Sequence, residues 1–145
     1  MAILRFASTT RNTMLSDLNT AIGTSATIDI YSGTIPANVD TAASGTLLAT
    51  LTGSATAFGT VAGGSAGVNW VLTANAITSG TGTAGAGTGT AATWCRISTS
   101  GAVAIVDCDV GASGSGATLI LDNTSIATGQ TVSITSLTIT GANAV

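Results

Sequence analysis

Residues 93–110 read TWCRISTSGAVAIVDCDV, and this stretch decides the class of fold. It contains two runs, 93–98 and 102–110, in which apolar and polar side chains alternate. Alternation with a period of two is typical of a β-strand that buries one face. The link at 99–101 ends in a glycine, as short hairpin connections commonly do. We therefore predict an antiparallel β-hairpin at this position.

The second run changes the face on which its apolar side chains lie. Its apolar residues are, in order, Val103, Ile105, Val106, Cys108 and Val110. Because one extra residue in a strand reverses which side chains point inward, this pattern predicts a β-bulge near residues 105–106. A similar change within residues 131–140 predicts a second bulge near 135–136. Such bulges let a strand bend around the corner of a sandwich.

The register of this hairpin also bears on the two cysteines. With the first bulge in place, Cys95 and Cys108 share the inward face as diagonal neighbours. Diagonal cross-strand residues lie about 7–8 Å apart at Cα, beyond the usual disulfide range of roughly 4.4–6.8 Å. We therefore predict two buried free thiols. Arg96 is expected on the opposite face of its strand.

A single helical pattern stands near the start of the chain, at residues 11–22. Its apolar residues at helical spacing are Met14, Leu15, Leu18 and Ile22. Thr9 or Thr10 is the expected N-cap, and Gly23 is the expected stop. Residues 1–8 are expected to form an arm or a strand.

Further alternating runs predict a mainly β domain. They lie at residues 27–31, 47–52, 68–73, 118–122 and 131–140. Seven or more short strands separated by small-residue turns favour an antiparallel β-sandwich or jelly roll over a parallel α/β sheet. We predict one domain over residues 1–145, with one short N-terminal helix and, over 24–145, strands and Gly/Ser/Thr-rich loops.

The segment 79–92 is rich in glycine, threonine and alanine and has no large apolar residue. Such a composition is floppy in isolation. We predict a long surface loop, or a flat strand pair that a neighbouring subunit orders.

The surface of this protein is expected to carry very few charged side chains. Charged residues make up 6% of the chain, which has no Lys, Glu or His and a formal net charge of −3. Ordinary soluble domains carry about a quarter charged residues, and these normally keep small domains apart. The composition therefore predicts a surface that neighbouring subunits cover. Three scattered arginines make no phosphate-binding stripe, so no nucleic-acid partner is expected.

No membrane segment or signal peptide is expected either. The longest strictly apolar stretch is 102–106, far shorter than the ~20 residues of a spanning helix. The first residues lack a long apolar region behind a basic one.

Catalysis and cofactor binding are not expected. General acid–base chemistry most often uses His, and the chain has none. Asp107, Asp109 and Asp122 could in principle hold Ca²⁺, but no Asp-x-Asp-x-Asn-Gly loop is present. We expect these carboxylates to solvate a strand or to pair with an arginine such as Arg96, and we predict no metal site.

Several pieces of the sequence carry a family resemblance. They are the helix with Arg11 and Leu18, the stretches 30–37, 47–51, 90–97 and 107–111, and Ile126 with 129–136. With these pieces the chain resembles small tailed-bacteriophage virion proteins of the capsid cement or decoration type. The resemblance spans nearly all 145 residues, but it rests on strand and turn residues rather than on a catalytic signature.

This resemblance implies a jelly-roll-like structural subunit without catalytic residues. Such a protein forms small homo-oligomers on the capsid exterior of the virion, where it bridges major capsid proteins, and it is made in the host bacterial cytoplasm. The expected interface is the N-terminal arm with Ile3, Leu4, Arg5 and Phe6, together with the Gly-rich loops.

Two other functions remain open from the sequence. A phage tail-fibre or spike module that binds a cell-surface glycan would need exposed aromatic side chains. Trp70 and Trp94 are the candidates, whereas their strand positions predict burial of at least one of them. Ice binding would need a flat, exposed threonine face, and the Thr-x-Thr pieces of the chain do not recur at a fixed period.

Overall fold

The computed structural model describes residues 6–63 and 69–141. One helix, α1 (Ser8–Ile22), precedes all strands. The strands are β1 (Thr27–Ser32), β2 (Thr46–Gly53), β3 (Trp70–Thr73), β4 (Ile77–Thr78), β5 (Gly80–Thr81), β6 (Thr90–Ala91), β7 (Trp94–Ser98), β8 (Ala104–Ala112), β9 (Leu119–Leu121), β10 (Ser125–Ile126), β11 (Thr131–Val132) and β12 (Ile134–Gly141). A 3₁₀ turn (Ala84–Ala86) lies between β5 and β6.

Eight of these strands form one large curled sheet in the order β3-β12-β9-β8-β7-β1-β2-β4. All neighbours in it run antiparallel except β8 and β9, which are parallel. Two small antiparallel sheets, β10 with β6 and β11 with β5, accompany it. The prediction of a mainly β, largely antiparallel fold with one N-terminal helix is confirmed. In the described residues no helix is long and apolar enough to cross a membrane.

Helix α1 begins earlier than the sequence indicated. The Arg11 amide donates to the Ala7 carbonyl, and Ala7 occupies the N-cap position without a side-chain hydrogen bond. The prediction of a threonine N-cap is therefore wrong, because the first turn closes on a backbone carbonyl one turn before the apolar pattern starts. The stop at Gly23 is confirmed: its φ of +74° is left-handed, which glycine adopts without strain.

The predicted bulge in the central hairpin is confirmed. Ile97 pairs with Val106 and Ser98 pairs with Ala104, so Ile105 is the extra residue. The connection between the strands is longer than predicted, because β7 ends at Ser98 and β8 begins only at Ala104.

The second predicted bulge is also confirmed, with Thr135 as the extra residue between the Ile134 and Ser136 pairs to β9. The run 131–140 is nevertheless divided into two strands that belong to different sheets, β11 and β12. A third bulge lies in β2, where Leu48 is the extra residue opposite β1. We did not predict it, although the adjacent pair Leu47–Leu48 interrupts the alternation there.

The Gly-rich segment 79–92 lies largely at the surface, as predicted, but contacts within its own chain give it regular structure, which differs from the expected loop or neighbour-ordered strand pair. It supplies β5, the 3₁₀ turn and β6, and Ala86 is fully buried. The Thr83 amide donates to the Leu48 carbonyl over 2.8 Å, and the Gly82 amide donates to the Gln130 carbonyl over 2.8 Å. Small residues allow this backbone to lie directly against β2 and the turn before β11.

One hydrophobic cluster fills the interior. It draws side chains from α1, from most strands and from the 3₁₀ turn, with Ile22, Ile30, Leu48, Cys95, Ile97, Leu119 and Ile126 among its fully buried members. Leu15 and Ile22 of α1 point inward as predicted, whereas Met14 is exposed. The helix therefore contributes a narrower apolar stripe than its sequence pattern indicated.

Candidate interaction surface

The predicted N-terminal interface lies only partly within the described residues. Ile3, Leu4 and Arg5 fall outside them, and Phe6 is the first residue with a defined environment. The Phe6 side chain is 43% exposed, although full burial of a phenylalanine side chain would stabilise the protein.

Phe6 belongs to an exposed apolar patch, called here the Phe6 patch. It is defined by Phe6, Arg11, Met14, Leu15 and Gly141, which line a pocket of about 240 Å³. Met14 is 54% exposed there, while the Arg11 guanidinium lies over the Trp70 ring, 4.1 Å from its centre. This cation–π contact holds the Arg11 side chain in place at the patch.

A second apolar patch, called here the Ile35 patch, lies where the loop after β1 meets β8. The loop residues Ile35, Pro36 and Val39 face Ile105 and Val106 of β8 across a pocket of about 310 Å³. Ile35 is 43% exposed. Val103, two residues before Ile105, is 60% exposed. Of the four exposed large apolar residues in the described chain, Phe6 and Met14 lie in the Phe6 patch, Ile35 lies in the Ile35 patch, and Val103 lies in the connection that precedes β8.

Strand β8 has an open edge beside the Ile35 patch. From Ala104 to Asp109 it pairs with β7, whereas β9 joins it only at Val110–Ala112. Within the described ranges no strand pairs with the first half of β8 on its outer side. An edge with free N–H and C=O groups is a surface to which another chain can add. The bulge at Ile105 and the exposed Asp109 carboxylate limit indiscriminate pairing.

Arg96 is buried on the outward face of β7, where it forms a salt bridge with Asp107. Its Nε and Nη2 each donate to one Asp107 oxygen over 2.7 Å, and both side chains are 8% exposed. Its Nη1 donates to the Thr41 carbonyl over 2.9 Å. The hydrogen bonds with Asp107 raise the pKa of Arg96 above its ordinary value. The expected outward orientation of Arg96 and its pairing with a carboxylate are confirmed, and the pair also ties the loop before β2 to the sheet.

The aromatic side chains beside this salt bridge pack against each other and are not exposed for ligand binding. The Tyr31 and Trp94 rings stack with centres 4.5 Å apart and an interplanar angle of 12°. Trp94 and Trp70 are each 1% exposed, which confirms the burial of at least one tryptophan. The Trp94 Nε1 has no hydrogen-bond partner among the described residues. Burial raises the pKa of Tyr31. Neither tryptophan is a platform for a sugar ring.

The three carboxylates considered for calcium each have a separate partner. Asp107 binds Arg96, Asp109 accepts the Thr118 amide over 2.9 Å, and Asp122 accepts the Asn123 amide over 2.8 Å. In the part of the chain that the structure describes, they do not converge on one point.

The contact between Asp109 and Thr118 predicts a pH effect. Hydrogen bonding from Thr118 lowers the pKa of Asp109 below 3.8. A lowered pKa in the folded state stabilises the fold above the unfolded value, and this contribution disappears as the pH falls through the folded value. We expect the stability difference between the wild type and Asp109→Asn to shrink as the pH is lowered from about 6 to about 2.

Chemical denaturation across this range measures that difference. Asp17→Asn, on the exposed side of α1, controls for the change in net charge. A wild-type advantage that stays constant down to the lowest pH would contradict the assignment.

The two cysteines lie directly opposite each other, so the diagonal arrangement predicted for them is wrong. Cys95 pairs with Cys108 in the β7–β8 register, and their sulfur atoms are 3.4 Å apart. Both are buried free thiols, as predicted. The hydrogen bond between them, followed by burial, raises the pKa of the Cys95 thiol well above 9.0. The thiol is therefore protonated at neutral pH, which is unsuited to a catalytic nucleophile.

Comparison of the chain with protein-family models, with curated proteins and with solved structures found no match.

Proposed function

We propose that this protein is a structural subunit of a tailed-phage particle, a cement protein that binds the capsid exterior and bridges major capsid subunits. One observation carries the proposal: large apolar side chains are exposed, three of them in the two apolar patches, on a surface with very few charges. Exposed apolar patches of this kind are typical of interaction sites, because covering them with a neighbouring protein lowers the free energy. The family resemblance of the sequence supports the same assignment.

The proposal includes a jelly-roll type of β-sandwich as the finer description of the fold. Two features support it. The large sheet curls around a single core, and the bulges at Ile105 and Thr135 fall in strands that leave one neighbour for another along their length. Bulges at such points bend strands across a corner between two layers.

The energetics of the proposed contact follow from the Phe6 patch. Full burial of one large apolar side chain contributes roughly 1.5–3 kcal/mol, so Phe6 and Met14 together make a substantial anchor. Ile3, Leu4 and Arg5 directly precede Phe6 in the sequence and are part of the proposed interface. Binding to the assembled shell, but not to its dissociated subunits, stabilises the shell by mass action.

Cryo-electron microscopy of the particle whose genome encodes this chain tests the proposal. Density for the chain on the capsid exterior, between major capsid subunits, is the expected result and would also give the order of the homo-oligomer. Density on the tail, or none on the particle, would overturn it.

A pair of matched variants tests which patch makes the contact. Phe6 and Ile35 are equally exposed, so Phe6→Ser and Ile35→Ser remove similar apolar areas from the two patches. We expect Phe6→Ser to weaken binding to capsids that lack the protein by about 10-fold or more, which corresponds to roughly 1.4 kcal/mol of lost burial. Ile35→Ser should bind nearly as the wild type does.

Co-sedimentation with such capsids measures both affinities, and thermal unfolding of the free variants checks that each is folded. Equal affinity of Phe6→Ser and wild type would exclude the Phe6 patch as the anchor. Because few charges are involved, the affinity should also change little between low and high salt.

A tail-fibre or spike module that binds a cell-surface glycan is the second candidate. An open groove of about 710 Å³ favours it, since six of its lining residues carry hydroxyls: Ser113, Thr118, Thr135, Ser136, Thr138 and Thr140. Hydroxyl groups can hydrogen-bond to sugars, but the groove has no aromatic side chain for a sugar ring to stack on. A glycan array would support this candidate if one glycan class bound and if Thr138→Val abolished that binding.

A further inference from the structure

The structure brings two thiols into a position from which a disulfide can form. Cys95 and Cys108 are directly opposed across the β7–β8 ladder, and their sulfur atoms are 3.4 Å apart. Directly opposed residues of an antiparallel pair have Cα atoms about 4.5–5.5 Å apart, within the roughly 4.4–6.8 Å that disulfides span. Bond formation requires the two sulfur atoms to close from 3.4 Å to about 2.05 Å and to adopt the dihedral angle of a disulfide.

We propose that Cys95 and Cys108 form an oxidisable pair, which a low-molecular-weight disulfide such as oxidised glutathione converts into an intramolecular cross-strand disulfide. The pair is a modification site of the folded subunit and acts as a latch on the central hairpin. This inference does not depend on the proposed capsid function.

The difference in exposure between the two thiols sets the order of the steps. Cys108 is 8% exposed, whereas Cys95 is fully buried. The Cys108 thiol loses its proton, attacks one sulfur of oxidised glutathione and releases one glutathione thiolate. Cys95 then loses its proton, attacks the Cys108 sulfur of the mixed disulfide and releases the second glutathione. The two protein thiols are oxidised, one glutathione disulfide is reduced, and two protons are transferred to the departing thiolates.

The surroundings of the pair predict a slow reaction. Only the thiolate attacks a disulfide, and the pKa of Cys95 is raised by its hydrogen bond with Cys108 and by burial. The rate should therefore increase with pH across the neutral and alkaline range. Once formed, the disulfide closes a short loop around the hairpin connection and restricts the unfolded chain.

The latch also has a structural consequence outside the core. Arg96 and Asp107 are the neighbours of the two cysteines in the ladder and hold the salt bridge on the outward face. Fixing the register at Cys95 and Cys108 therefore fixes the two strands that carry this salt bridge and one wall of the Ile35 patch.

The experiment uses the full-length reduced protein incubated with oxidised glutathione. Mass spectrometry after alkylation in denaturant counts the remaining thiols, and thermal unfolding measures stability. We expect a monomer that is two hydrogen atoms lighter, has no alkylatable thiol and unfolds about 5–10 °C higher than the reduced protein. Dithiothreitol should reverse both changes.

Two single variants separate the steps. Cys95→Ser should accumulate one glutathione adduct on Cys108, because the second attack is lost. Cys108→Ser should react at least 10-fold more slowly, because the remaining thiol is fully buried. Circular dichroism establishes that each variant is folded.

Three results would overturn the proposal. The first is that folded wild type keeps both thiols while the same protein oxidises in denaturant. The second is a stable glutathione adduct on the wild type in place of the internal bond. The third is a disulfide-linked dimer as the main product.

Discussion

Replacing Arg96 with methionine should lower the free energy of unfolding by about 3–5 kcal/mol. The change leaves the Asp107 carboxylate with 8% exposure and without the two hydrogen bonds that Arg96 donates to it. Most of this cost comes from the unpaired buried carboxylate, because the protein must either desolvate the charged group or protonate it. The Thr41 carbonyl also loses the donor that attaches its loop to the sheet.

Urea unfolding of the purified protein, followed by the fluorescence of Trp70 and Trp94, measures the loss. The double variant Arg96→Met/Asp107→Leu is the matched control. We expect it to recover much of the stability, because replacing both partners by apolar groups removes the buried charge together with its partner. If the single variant were as stable as wild type, or the double variant less stable than the single one, the salt bridge would not have the role assigned to it.

Replacing Gly82 with alanine should cost about 3 kcal/mol of stability. A Cβ atom at this position would overlap the Ala127 carbonyl oxygen and would also press on the Ile126 side chain. The Ala127 carbonyl is backbone and cannot rotate away, so the two segments must move apart. Their separation would weaken the hydrogen bonds that Gly82 makes, through its amide to the Gln130 carbonyl and through its own carbonyl to the Gly129 amide.

Gly101→Ala is the matched control for this substitution. Gly101 lies in the connection of the central hairpin without a positive φ, and its nearest atom is the Thr99 hydroxyl oxygen at 3.6 Å from an added Cβ. We expect a change within about 0.5 kcal/mol of wild type. Gly80→Ala should resemble Gly82→Ala, since its Cβ would overlap the Thr50 carbonyl oxygen. Equal stability of the Gly82 and Gly101 variants would show that the Gly-rich segment is not held against its neighbours.

The sequence by itself determined the features that depend on neighbours along the chain. Alternation marked the central hairpin, and changes of parity located the bulges at Ile105 and Thr135, because the inward or outward direction of each side chain repeats every two residues. The stop of α1 at Gly23 could be predicted because it depends on a local backbone conformation. The outward orientation of Arg96 followed from its neighbours in the strand.

The surface residues of the candidate interface were only partly predictable. Phe6 was expected there from its place in the arm, but Met14 was assigned to the helix core and is 54% exposed. The Ile35 patch could not be predicted, because it depends on how a loop far away in sequence lies over β8. A pattern within one element shows which face is apolar, but not whether another element covers it.

Only the tertiary structure decided the register of the cysteines and the state of the Gly-rich segment. The connection between β7 and β8 is two residues longer than the alternation indicated, and a shift of two turns diagonal neighbours into direct ones without changing their face. This is why burial of Cys95 and Cys108 was predicted correctly and their separation was not. Segment 79–92 resembles a flexible linker by composition, yet its small residues let the backbone pack against strands distant in sequence. Alternation and composition depend only on neighbours along the sequence. Strand register and close backbone packing depend also on segments that are distant in sequence.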